Sequence, residues 1–242
     1  MKGSFKEEQN ARQFGGISPV AIAAHELKSP LSLLRQLALS LEAEDVSDSE
    51  RQRIVGHMRL VSERALRLTT DLTKVERLEG SLFELEPINP QQLCEEVARD
   101  LMPLYRAYGR EIIVTRRARP LLAVANRDLL RRVLLNFADN ALHYSEDTAA
   151  VELHASSHAG GEIVRLAVRD YGPALPIDTW RTLRETATRP QAIHARPGSS
   201  GLGLTIARQF AEAMNGTVGA IRHRDGATFY VDMYASRQLS FL

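Results

Sequence analysis

Between about Glu8 and Glu79 the apolar positions recur at alternating spacings of four and three. Val20, Ala24, Leu27, Leu31, Leu34, Ala38 and Leu41 form one seam; Ile54, Met58, Val61, Ala65, Leu68, Leu72 and Val75 form another. This is the heptad signature of helices that pack lengthwise. A polar stretch, Glu42–Ser49, separates the seams. Within it Ser47 and Glu50 stand in the S-x-x-E arrangement of a capping box, so the second helix is predicted to begin there. The result is a helical hairpin. Two such helices bury their narrow stripes poorly alone, and a homodimer forming a four-helix bundle completes them.

After Gly80 the rhythm changes. Short runs with strand character occur at Glu111–Thr115, Leu121–Val124, Val151–Ala155, Ile163–Val168, Thr217–Ile221 and Ala227–Met233. Helical segments alternate with them. Asn89 followed by Pro90 is an N-cap with proline at the first helical position, and that helix ends near Gly109. Others are predicted from about Asp128 to Tyr144 and from about Leu202 to Met214. The expected fold is therefore α plus α/β: the hairpin over residues 1–80, then an α/β sandwich on a mixed sheet over residues 81–242. The stretch Arg184–Ser200 is polar and aperiodic, the pattern of a functional loop such as a lid.

Composition narrows the function. The chain has 242 residues, 44% hydrophobic and 25% charged, and Lys+Arg 31 nearly cancels Asp+Glu 30. That balance excludes a disordered chain. A net charge of +1 also argues against binding nucleic acid by phosphate neutralisation. No apolar run approaches the roughly 20 residues of a membrane span. The single cysteine, Cys94, excludes an intrachain disulfide and a cysteine zinc cage. The expected compartment is the reducing cytoplasm.

Candidate chemistry lies in local clusters. In His25-Glu26-Leu27-Lys28-Ser29-Pro30-Leu31, His25 is one step off the seam, on a partly exposed flank. With a reference pKa of about 6.5 its ring is largely neutral near pH 7 and has a lone pair for attack. Glu26 is placed to hold the other ring nitrogen, and Pro30 to bend the helix just beyond. Further on, Asn136, Asn140, His143 and Tyr144 share one helix face. Amide oxygens suit a Mg²⁺ ion that already carries phosphate oxygens and water, and Tyr144 offers a flat face for a base. Asp170-Tyr171-Gly172-Pro173-Ala174-Leu175-Pro176 follows an apolar strand. There a carboxylate can accept from an exocyclic amine, and Gly172 permits close approach of a ligand. Gly198-Ser199-Ser200-Gly201-Leu202-Gly203-Leu204 opens an apolar helix, where exposed amides and the helix dipole favour an anion. No Gly-Lys-Ser/Thr follows, so this is not a Walker loop.

In this order the clusters resemble the transmitter core of sensor histidine kinases. His25–Leu31 resembles the phospho-acceptor box, Asn136–Tyr144 the N box, Asp170–Pro176 the first glycine box and Gly198–Leu204 the second. Gly226-Ala227-Thr228-Phe229 resembles the closing G-T-T-F strand. The resemblance implies a dimerisation and phosphotransfer hairpin followed by a Bergerat-type ATP-binding domain. It implies ATP and Mg²⁺ as cofactors, autophosphorylation of His25, and transfer to an aspartate on a response regulator receiver domain. By position, Asn140 would coordinate Mg²⁺, Asp170 would read the adenine amine and Tyr144 would pack on the ring. Ser200, Gly201, Leu202, Gly203 and Leu204 would form the phosphate-contacting lid edge, and Thr228 would support the adenine site. Glu26 and Ser29 occupy the positions through which relatives also remove phosphate from their regulator. Asn136 stands where gyrase-type ATPases carry a glutamate that activates water. An amide is no general base, which favours transfer to a protein nucleophile. Most such kinases carry a membrane-borne sensor ahead of this core, so the signal is expected from an upstream segment or a partner.

Departures from the family pattern frame an alternative. Ala174 replaces the second glycine of its box, which would cost energy if that position needs positive φ. His143 replaces the usual lysine, and the aromatic F box of the lid is missing near Leu183 and Ala187. The alternative is a binding and phosphatase module with a degraded nucleotide pocket, acting on a response regulator.

Overall fold

A computed structural model describes residues 19–42, 46–78, 83–115, 121–145, 149–178, 180–181 and 202–236. The chain divides into two compact units, one running to Arg77 and the other beginning at Leu78.

The first unit holds two long helices, α1 (Pro19–Leu41) and α2 (Asp48–Leu78). Pro30 lies inside α1, which continues past it for three further turns. Ser47 caps α2: its Oγ accepts the Glu50 N–H at 3.3 Å, the forward half of the capping box. Glu50 turns instead toward Arg53, at 3.9 Å. Among the described seam residues only Val61 is buried, at 3% exposure, whereas Leu31 is 57% exposed and Leu27, Leu34, Ala38 and Leu41 are half-buried.

The second unit runs β1 (Glu86–Ile88), α3 (Pro90–Ala107), β2 (Ile112–Val114), β3 (Ala123–Ala125), α4 (Arg127–Tyr144), β4 (Val151–His158), β5 (Ile163–Asp170), α5 (Leu202–Ala213), β6 (Thr217–His223) and β7 (Gly226–Tyr234). A five-stranded mixed sheet has the order β2-β4-β5-β7-β6. Its β2–β4 pair is parallel and the remaining pairs are antiparallel. The helices start where their caps dictate. Asn89 Oδ1 accepts from the N–H groups of Gln91 and Gln92, each at 3.1 Å, and Asn126 Oδ1 from that of Leu129 at 3.1 Å.

One face of the sheet is apolar. Leu153, Leu166, Val168, Phe229 and Val231 are buried on it, as are Val133, Phe137, Ile206 and Phe210 of the helices. Phe137 of α4 meets Phe229 of β7 with ring centroids 6.1 Å apart. The buried Tyr105 hydroxyl donates to the Ala138 carbonyl at 2.7 Å, tying α3 to the middle of α4.

The sequence reading differs in one element. The predicted strand at Leu121–Val124 does not join the main sheet; Ala123–Ala125 pairs with Glu86–Ile88 in a separate two-stranded ribbon. That partner was illegible because two of its three positions are exposed, too short a segment to show alternation.

Candidate nucleotide site

The site forms where α4, the ends of β5 and β7, and the start of α5 meet. Asn136 is half-buried on α4 and its Nδ2 donates to the Arg132 carbonyl at 3.1 Å. Its Oδ1 lies 3.4 Å from where a Cβ on Gly203 would stand. The amide of the N box and a glycine of the second glycine box are thus in direct apposition. Leu204 anchors the same turn of α5 in the core, at 1% exposure. Asn140 and Tyr144 are half-buried further along α4.

The end of α4 closes on the first glycine box. A Cβ at Gly172 would lie 1.9 Å from the Tyr144 carbonyl oxygen, so only glycine fits. Leu175 is fully buried, and its carbonyl accepts from Arg222 Nε at 2.7 Å. Ala174 is half-buried and is not among the residues with positive φ; among the described residues those other than glycine are Ala159 and Asn215. The missing second glycine therefore carries no left-handed strain.

Asp170 is 1% exposed at the end of β5. Its Oδ1 accepts the Ala227 N–H at 3.2 Å, across the register pair Asp170–Ala227. Gly226, at φ +127°, makes this possible: a Cβ there would come within 2.2 Å of the Asp170 carbonyl and 2.8 Å of its carboxylate. Sequence reasoning placed Gly226 and Ala227 in the closing strand motif but gave neither a part beside Asp170, although Asp225-Gly226 is the kind of dipeptide that turns a hairpin.

Thr228 is not brought to this carboxylate. Side chains alternate along β7, and Phe229 packs on α4, so Thr228 points to the opposite face of the sheet. There its Oγ1 lies 2.9 Å from His223 Nε2. Burial, and then the Arg169 guanidinium, hold the His223 imidazole below its usual range.

Arg169 was also missed. It is 8% exposed on that outer face and donates to the Asp170 carbonyl. It also donates to the Asp225 carboxylate at 2.7 Å and lies 4.3 Å from the centre of the Tyr171 ring. Tyr171 in turn donates to Glu152 Oε1 at 2.7 Å, the chief cause raising its phenol above the usual range.

Other expected residues lie partly or wholly outside the description. Ser200 and Gly201 are outside it, as are the side chains of His143 and Leu202. His25 and Glu26 lie on α1 with their side chains likewise outside it, and Ser29 is exposed on the same helix. No helix among the described residues is long and apolar enough to cross a membrane.

The residues fit a purine nucleotide. A buried carboxylate stands at a strand end, a glycine is pressed to backbone beside it, and amide side chains line the adjoining helix. Comparison with known proteins agrees. Residues 125–236 match the family of histidine kinase-, DNA gyrase B- and HSP90-like ATPases. Sensor protein KdpD of Mycobacterium tuberculosis (strain CDC 1551 / Oshkosh) is 31% identical over 230 residues, covering 90% of this chain and 26% of the relative. The adaptive-response sensory kinase SasA of Prochlorococcus marinus is 30% identical over 86% of this chain and 54% of its own length. The chain thus spans about a quarter to a half of these relatives. Among solved structures, full-length ShkA in complex with AMPPNP is 28% identical, covers 92% of this chain and 47% of its own, and has a TM-score of 0.60. The chain therefore carries the ATPase core of the sensor histidine kinases.

Proposed function

We propose that the chain is an ATP:protein-histidine phosphotransferase that phosphorylates its own His25 and passes the phosphoryl group to an aspartate on a response regulator. The observation that carries this reading is the apposition, in one unit, of Asp170 with Ala227, Gly172 with Tyr144 and Asn136 with Gly203. It is joined to a helix bearing His25-Glu26-Leu27-Lys28-Ser29-Pro30.

In this reading the Asp170 carboxylate accepts from the adenine amine. Tyr144 packs on the base, and the amides at the start of α5, with Gly203, face the phosphates. Asn140 would hold a magnesium ion, which would supply positive charge against the transferring phosphoryl group. A lone pair of His25 forms the P–N bond as the bond from the γ-phosphorus to the bridging oxygen breaks, and ADP leaves. Glu26 holds the proton on the other ring nitrogen. The amide at Asn136 supplies no base to activate water at that position, which directs the phosphoryl group to protein. Glu26 and Ser29 would serve a separate step in which water takes the phosphoryl group from the regulator's aspartate as inorganic phosphate. Thr228 supports the adenine site only from behind the sheet, through its strand.

The half-buried seam of α1 supports a homodimer through residues 1–80, because a bundle of four helices would cover what the single chain leaves open. Incubation with γ-labelled ATP and Mg²⁺ tests the proposal. Label that is acid-labile, alkali-stable and lost in His25→Gln is expected; label persisting in that variant defeats the assignment. The competing reading, a phosphatase module with a degraded pocket, loses one ground in the unstrained Ala174. It predicts no binding of a non-hydrolysable ATP analogue at millimolar concentration.

A further inference from the structure

A buried cation sits behind the nucleotide site. Arg169 Nη1 donates to the carbonyl of Asp170 and lies 3.4 Å from those of Asp225 and Ala227. Its Nη2 donates to the Asp225 carboxylate at 2.7 Å, and Tyr171 covers its face. One guanidinium thus gathers the chain as it leaves β5 and the chain as it enters β7. These are the segments whose separation sets the Asp170–Ala227 hydrogen bond and the passage of Tyr171–Gly172 against α4. A planar fork of five donors suits this convergence of backbone carbonyls; a lysine ammonium, with three donors at one point, matches it less well.

The Arg169 and Asp170 side chains leave the strand on opposite faces of the sheet, and Arg169 reaches the Asp170 and Ala227 carbonyls from its own side. We propose that Arg169 is a positioning residue: by clamping the Asp170 and Ala227 carbonyls from the outer face, it fixes the Asp170 carboxylate for recognition of the adenine base. This inference rests on the nucleotide-site reading given above. It accounts for a cation at 8% exposure on the face away from the Asp170 carboxylate. It also accounts for the Asp225-Gly226 turn, which brings the counter-charge and the backbone carbonyl to the same guanidinium.

The test is titration of the full chain with ADP and with GDP in the presence of Mg²⁺, for wild type, Arg169→Gln, Arg169→Lys and Asp225→Asn. Arg169→Gln is expected to lower ADP affinity by at least about tenfold while GDP affinity changes little, because misplacing a recognition group is costly. Arg169→Lys should recover part of the loss, and Asp225→Asn should show a smaller loss of the same kind. A purely structural role would reduce the folded fraction without changing the ADP-to-GDP ratio of the folded molecules. If Arg169→Gln does not fold, Arg169→Lys and Asp225→Asn decide. An unchanged ratio in the folded variants overturns the proposal while leaving the nucleotide site standing. Failure of wild type to bind ADP overturns the nucleotide-site reading itself, and this proposal with it.

Discussion

No side chain fits at Gly172, because a Cβ there would stand 1.9 Å from the carbonyl oxygen of Tyr144. The obstacle is backbone at the end of α4, so it cannot rotate away. Gly172→Ala is expected to push the Tyr171–Pro176 segment off α4 and to cost about 1–3 kcal/mol of stability. ADP affinity should fall with it. Gly203→Ala is the control: its Cβ would meet Asn136 Oδ1 at 3.4 Å, an ordinary contact. That variant should unfold within a few degrees of wild type. Thermal unfolding of both variants checks the contrast in stability, and ADP titration of Gly172→Ala reads its effect on affinity.

Asp170→Asn separates shape from charge. Its Oδ1 still accepts the Ala227 N–H, so the strand ends stay joined. The other side-chain oxygen, however, becomes an amide donor where an acceptor is required. Losing a charge-assisted hydrogen bond costs about 1.5–3 kcal/mol, or roughly 10- to 100-fold in ADP affinity. Calorimetric titration reads this directly, and a change below threefold would show that the carboxylate does not meet the base.

The contrast between Asp170 and Thr228 shows what the sequence could convey. Asp170 follows an apolar strand and precedes a glycine, so its place at a strand end was legible from pattern alone. Thr228 was assigned to support the adenine site by its position within a motif. The facing of a side chain depends on strand register, which the Asp170–Ala227 pairing settles and local pattern does not. Arg169 was hidden for a related reason. A charged residue within a strand reads as solvent-facing until the Asp225-Gly226 turn folds back over it. The caps at Asn89, Asn126 and Ser47 are local chemistry, and the first and last were read as such. The β1–β3 ribbon depends on a pairing between distant, exposed segments and left no periodic trace.

His223 links pH to the stability of the second unit. Burial and the Arg169 cation lower its pKa in the folded state, so the unfolded chain binds the proton more readily. Above about pH 6.5 both states are neutral and the residue contributes no pH dependence. As pH falls below that value, the unfolded state protonates first and stability declines, until the folded-state pKa is passed. His223→Gln should flatten this part of the profile. Thermal unfolding of both proteins between pH 5 and 8 is the measurement; parallel curves would show that His223 does not contribute.

Cys94 is fully buried in α3, and burial pushes its thiol up to about 12. The reactive species is the thiolate. Native protein at pH 8 should therefore resist iodoacetamide, with modification following global unfolding. Mass spectrometry over a denaturant series should place alkylation on the same transition as the circular dichroism signal. Alkylation well before that transition would show that α3 opens locally.

Tyr105 gives the most direct test of how the core supports the N box. Its side chain has no measurable exposure, and its hydroxyl donates at 2.7 Å to the carbonyl of Ala138, midway between Asn136 and Asn140. Tyr105→Phe removes one oxygen, keeps the ring in place and leaves that carbonyl without this donor. The expected loss is about 1–2 kcal/mol of stability. Because α4 also carries Asn136 and Asn140, which we propose face the phosphates, the helix should shift slightly along its own axis. Phosphate-dependent binding should then weaken more than binding of the base: affinity for ATP with Mg²⁺ should fall by a larger factor than affinity for adenosine. An equal fall for both ligands would mean that Tyr105 stabilises the unit as a whole, and that the position of α4 is set by its apolar contacts alone.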